Sequence, residues 1–146
     1  MSLCLVANWK LNGSKEFNHQ WALEFLRNFN GNNFSILGIA PASLYIDHLK
    51  TILTDYDIEI GSQNIDLEET GARTGEISAS MIKDLGCAFS IIGHSERRML
   101  FHETNQMICQ KLIQADNNSV IPILCTGESA EENQSNNTFN LLEQQL

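Results

Sequence analysis

The chain has 146 residues, 42% hydrophobic and 18% charged, enough for one domain with a buried core and too apolar for a disordered segment. Its net charge of −9, with no basic run, excludes a nucleic-acid-binding surface and requires local donors for any anionic ligand. The opening Met1-Ser2-Leu3-Cys4-Leu5 has no basic segment and no long apolar one, so no signal peptide or membrane span is expected. The widely spaced Cys4, Cys87, Cys109 and Cys125 form no metal-ligand pair and read as free thiols of a reduced, cytoplasmic protein.

Short apolar runs alternate with amphipathic stretches along the chain. Leu3–Asn8 reads as a first strand, broken at Gly13 and Ser14, with Ser14 as helix N-cap. Phe17, Trp21, Ala22, Phe25, Leu26 and Phe29 then follow a helical stripe, and Asn30–Asn33 reads as a turn. Ser35–Ala40 is a second strand, stopped by Pro41, and Leu44, Ile46, Leu49, Ile52 and Leu53 mark a second helix. Ile58–Gly61 and Phe89–Ile92 are the third and fourth strands. Ser95-Glu96 opens a helical turn, and Met107, Ile108, Leu112 and Ala115 mark a helix beyond it. Val120–Leu124 is a fifth strand, and Ser129 opens one last helix running through Leu141 and Leu142.

Continuously apolar strands, each followed by a helix, predict a parallel sheet covered by helices. Two architectures fit five such units. One is a doubly wound open sheet of five strands. The other is the first five units of a (β/α)8 TIM barrel, which needs about 250 residues when complete. Both place polar, chemistry-bearing residues at the C-terminal ends of the strands. Strand one ends Asn8-Trp9-Lys10, and alternation points Asn8 and Lys10 the same way, toward a barrel mouth. Strand three ends Gln63-Asn64, strand four at His94-Ser95-Glu96, and strand five at Cys125-Thr126-Gly127-Glu128. His94, where strand four meets a helix start, is favoured as a neutral imidazole because the positive end of the helix disfavours a second positive charge.

In the same order along the chain, Asn8-Trp9-Lys10-Leu11-Asn12-Gly13, Gly61-Ser62-Gln63-Asn64, Gly71-Ala72-Arg73-Thr74-Gly75-Glu76-Ile77-Ser78 and Ile92-Gly93-His94-Ser95-Glu96-Arg97-Arg98 resemble the motifs of the triosephosphate isomerase family. Cys125-Thr126-Gly127-Glu128 resembles the next one. The resemblance implies the barrel: residues 1–146 as one domain, truncated after five strands, from the first strand into the fifth helix. It also implies interconversion of dihydroxyacetone phosphate and glyceraldehyde 3-phosphate by proton transfer through an enediolate, a step of glycolysis and gluconeogenesis.

By that resemblance Asn8 and Lys10 bind the triose phosphate, and Lys10 stabilises the enediolate. His94 is the neutral electrophile, Glu96 orients Lys10 and His94 or relays protons, and Ser95, at the start of the helical turn near the family's catalytic carboxylate, is substrate-binding. No metal and no organic cofactor are implied. The Gly71–Glu76 loop would enter a second subunit of a homodimer, Thr74 reaching the neighbour's Lys10 and His94 and Glu76 pairing with Arg97. Gln63 and Asn64 belong to the same interface. Arg73 departs from the family pattern, standing at the loop tip where a bulkier, less charged residue is expected. The family's catalytic glutamate, closing loop and glycine-rich phosphate loops come later than Leu146. The 146 residues alone are therefore expected to be a fragment without useful activity, with strands one and five as open edges. The competing reading is a non-catalytic doubly wound module that binds phosphate or protein, in which Lys10, His94 and Glu96 are unrelated surface residues.

Overall fold

A computed structural model describes residues 3–29, 34–134 and 137–146, so the turn expected at Asn30–Asn33 lies outside the described residues. Five strands, β1 (Leu3–Asn8), β2 (Phe34–Ala40), β3 (Glu59–Ser62), β4 (Phe89–Ile92) and β5 (Ile121–Leu124), form one parallel sheet. Their spatial order is the chain order, β1-β2-β3-β4-β5. A doubly wound sheet must reverse direction partway across, so this order excludes that alternative. With every crossover of one hand, sequential order places all helices on a single face and leaves the other as the inner wall of a curling half-barrel.

Side-chain alternation sorts the core into two layers. Outward-facing Leu37, Ile39, Ile60 and Ile92 pack with Ile46, Leu49, Ile82, Ile108 and Ala115 from the helices. Inward-facing Phe89 and Ile91 pack with Ala40, Val6 and Ile123. Phe89 lies across the inner wall because Gly38 and Gly61 have no side chain. A Cβ built at Gly61 would stand 2.4 Å from the Phe89 ring, and one at Gly38 2.6 Å from it. Each edge strand, β1 and β5, pairs with one neighbour among the described residues. Leu3, Leu5 and Ile121 on them are more than half exposed.

The first helix, α1 (Lys15–Asn28), is capped by Ser14, whose hydroxyl accepts from the Phe17 N–H at 3.1 Å. Its aromatic stripe forms a ladder: Trp21 stacks on Phe25 at 5.0 Å between centroids and Phe25 on Phe29 at 5.1 Å. Trp9 joins edge-on to Trp21 at 4.8 Å. That anchor fixes the end of β1 with Trp9 on the helix side and Asn8 and Lys10 toward the interior.

A 3-10 turn at Ser43–Tyr45 leads into α2 (Ile46–Ile52). A short helix, α3 (Ala79–Asp84), precedes β4, and α4 (Ser95–Leu100) and α5 (Asn105–Asn117) follow it. The single last helix expected from Ser129 is two: α6 (Ala130–Gln134) and α7 (Thr138–Gln145). Ser129 does open the first, in a reciprocal cap with Glu132 in which each side chain accepts from the other's N–H. Asn137 stands at the N-cap of the second, and asparagine favours caps over helix interiors.

Candidate active site

Asn8 is the last residue of β1 and Lys10 lies two positions beyond it, with a left-handed backbone at φ +53°. For a residue with a side chain that conformation costs about 1–2 kcal/mol. It is held from several sides. The Asn8 carbonyl oxygen Oδ1 accepts from the Lys10 N–H at 2.9 Å, and Gln63 Nε2 donates to the Lys10 carbonyl at 2.9 Å. The same amide donates to Ala40 O at 2.9 Å, tying the ends of β1, β2 and β3 together. Lys10 Nζ donates to Glu96 Oε1 at 2.7 Å. That hydrogen bond, and then the charge behind it, hold the Glu96 carboxyl below the usual carboxylate range, so Glu96 is an anion at neutral pH.

Gly93 follows β4, left-handed at φ +71°, where an added Cβ would meet Ile108 at 3.0 Å. The turn delivers His94 as the N-cap of α4. His94 Nδ1 accepts from the Glu96 backbone N–H at 3.2 Å and lies 3.5 Å from Glu96 Oε2. A backbone N–H can only donate, and at a helix start it has no other partner. Nδ1 therefore serves as acceptor, and the proton of the neutral ring belongs on Nε2. Arg98 locks this turn, donating to the Gly93 and Cys125 carbonyls and to Asn105 Oδ1.

Asn8, Lys10, Gln63, Asn64, Glu76, His94, Glu96 and Arg97 line one cavity of about 540 Å3 at the C-terminal ends of the strands. Ser95 does not. It lines a second cavity, of about 670 Å3, beyond His94, with Cys125, Glu128 and Arg98. Thr74 is exposed and lines neither cavity. The loop that carries it is closed on its own chain: Arg73 Nε donates to both Asp66 oxygens at 2.8 Å, and Asp66 N donates to Ile77 O. Arg97, expected to meet Glu76 across an interface, donates within its own chain to Glu103 Oε1 at 2.5 Å. Among the described residues no group of three or more His, Cys, Asp or Glu is placed to hold a metal ion.

Sequence reading missed the support beneath this wall. Lys111 is 3% exposed, and its ammonium donates to Asn64 Oδ1 at 2.7 Å and to Glu103 Oε1 at 2.5 Å. The signal was present in the helical stripe Ile108–Lys111–Leu112–Ala115, where a lysine occupies a core position.

A model of the family described as triosephosphate isomerase matches residues 3–146. The chain belongs to the triosephosphate isomerase family. It is 44% identical over 144 residues to the triosephosphate isomerase of Baumannia cicadellinicola subsp. Homalodisca coagulata, covering 97% of this chain and 56% of that protein. It is 43% identical over 149 residues to that of Blochmanniella floridana, covering 99% and 57%. The crystal structure of triosephosphate isomerase from Bartonella henselae superposes with a TM-score of 0.91 at 30% identity, over 99% of this chain and 60% of that one. The chain thus spans a little over half the length of these triosephosphate isomerases. The cavity lies at the C-terminal ends of the strands, the face where barrels of this type carry their chemistry.

Proposed function

We propose that these residues form the first-strand and fourth-strand half of an isomerase site for a triose phosphate, interconverting dihydroxyacetone phosphate and glyceraldehyde 3-phosphate. The observation that carries the reading is that Lys10 and His94 face one cavity and Glu96 contacts both. Removing a proton from the carbon next to a carbonyl drives negative charge onto the carbonyl oxygen. An ammonium from Lys10 and an N–H from His94 Nε2 meet that charge as it develops, and preorganised donors of this kind commonly do more than any other single effect to lower a barrier. Glu96 holds the ammonium in place. Its carboxylate is spent on Lys10, so it is no candidate for the base that takes the carbon-bound proton. In this reading that base and the main phosphate grip come from polypeptide beyond the matched five units, and the 146 residues alone turn over slowly. The reaction needs neither metal nor organic cofactor, because the substrate's own carbonyl is the electron sink.

Asn8 serves by fixing Lys10, and Ser95 by lining the adjoining cavity next to His94. We assign the protein to the cytoplasm, which suits a small phosphorylated substrate. Among the described residues no helix is long and apolar enough to cross a membrane. A homodimer is the fitting assembly. Leu11 is 97% exposed, and with Leu100 and Phe101 it borders the cavity mouth as an apolar rim. That rim suits the Thr74 loop of a second copy, with Glu76, Arg97, Gln63 and Asn64 around it.

The role given to His94 is tested by nitrogen-15 NMR of its ring at neutral pH. The expected tautomer has a bare Nδ1 and a protonated Nε2. A proton on Nδ1, donated to the Glu96 carboxylate, removes the N–H donor from the cavity and overturns the assignment.

A further inference from the structure

We propose that Lys111, on the outer helix α5 and outside the cavity, is a positioning residue for Lys10, acting through Asn64 and Gln63. The inference rests on the reading of Lys10 as a site residue. Its test reads geometry and not turnover, so it stands or falls apart from the isomerase assignment.

A left-handed non-glycine residue persists only where its surroundings impose it. Two of the groups that hold Lys10 lie outside its own strand: the Gln63 amide on its carbonyl and the Glu96 carboxylate on its ammonium. Gln63 leaves β3 next to Asn64, and Glu96 sits in the first turn of α4. Lys111 is the node between these two segments. Its ammonium donates to Asn64 Oδ1 on one side and to Glu103 Oε1 on the other, and Glu103 also accepts from Arg97 of α4.

A buried ammonium is a poor way to gain stability, because its desolvation offsets most of what the ion pair returns. An apolar side chain at 111 would continue the stripe of Ile108, Leu112 and Ala115 and fill the core at lower cost. What the lysine supplies is a directed bond that fixes the Asn64 side chain, and with it the angle at which Gln63 meets the Lys10 carbonyl.

Carbon-13 NMR of the Glu96 carboxylate, titrated in the full 146-residue chain, reads this, since the Lys10 hydrogen bond is the largest of the interactions that hold that carboxyl below its usual range, ahead of the charges of Lys10 and His94. Asn64→Leu changes no charge and leaves the Lys111–Glu103–Arg97 cluster intact. It is expected to move the Glu96 midpoint up toward the ordinary glutamate value of about 4.3. Lys111→Met should move it the same way. Asn64→Asp keeps an acceptor for the ammonium and should stay near the parent chain. An unmoved Glu96 midpoint in Asn64→Leu overturns the proposal. So does a shift in Lys111→Met alone, since that is the effect of a lost charge or of a route through Glu103. If Lys111→Met fails to fold, Asn64→Leu decides by itself.

Discussion

Burial pushes the Glu103 carboxyl up, but the hydrogen bonds it accepts from Lys111 and Arg97 outweigh that and hold it below the usual carboxylate range. A carboxylate depressed on folding contributes stability that is complete above its unfolded value, about 4.3, and is lost as the pH falls toward the folded one. Glu103→Gln leaves the Lys111 ammonium buried without its counter-ion, which should cost about 3–5 kcal/mol at neutral pH. Urea unfolding is expected to show that gap at pH 7 and to show it narrowing below about pH 4. A gap that does not change with pH would mean the cluster is not ionised as described. At this scale the sequence picks out residues that sit in a run resembling a motif, and Lys10, His94 and Glu96, picked in that way, line one cavity. The sequence says little where the partner is far along the chain. Lys111 and Asn64 are 47 positions apart and meet only because α5, packed on β4 and β5, brings the ammonium within reach of the residues that follow β3.

Elements with a long periodic stripe or a continuous apolar run were legible from pattern. β4 has the bounds read from the sequence, and α1 begins at the expected cap. Elements with neither were not. The six residues of α3 give too little repeat to read, and α6 and α7 read as one helix because the polar run from Glu131 to Thr138 carries no apolar repeat that could mark a break. Nor does periodicity reveal why glycines stand at 38 and 61 in the strands. They make room for Phe89, which seals the inner wall. Gly61→Ala forces a methyl into that ring and should destabilise the chain by about 1–3 kcal/mol, the usual cost of overpacking. Phe89→Ala should cost about 3–5 kcal/mol. In the double variant the two costs should fall short of their sum, because the alanine methyl then enters the space the ring has left. Strict additivity in denaturant melts would show that the ring does not rest on Gly61.

Strand order settled the architecture, and pattern alone could not supply it. Five parallel strands in sequential order make a wall that curls one way, with helices outside and the mouths of β1, β3 and β4 converging on one cavity. Among the described residues the wall ends in two strands paired on one side, and the chain spans 60% of the Bartonella henselae triosephosphate isomerase it superposes on. The central claim is that this wall contributes a working ammonium and imidazole to a triose phosphate site. It is tested most directly by continuing the 146 residues with the part of the Bartonella henselae chain they do not cover, then assaying isomerisation of glyceraldehyde 3-phosphate beside the 146-residue chain alone. The joined protein is expected to turn over well above the short chain, and Lys10→Met and His94→Gln in it should each lower kcat/KM by about 10²–10⁴-fold. A joined protein that folds as a closed barrel yet is inactive, or is active and indifferent to both substitutions, would contradict the account.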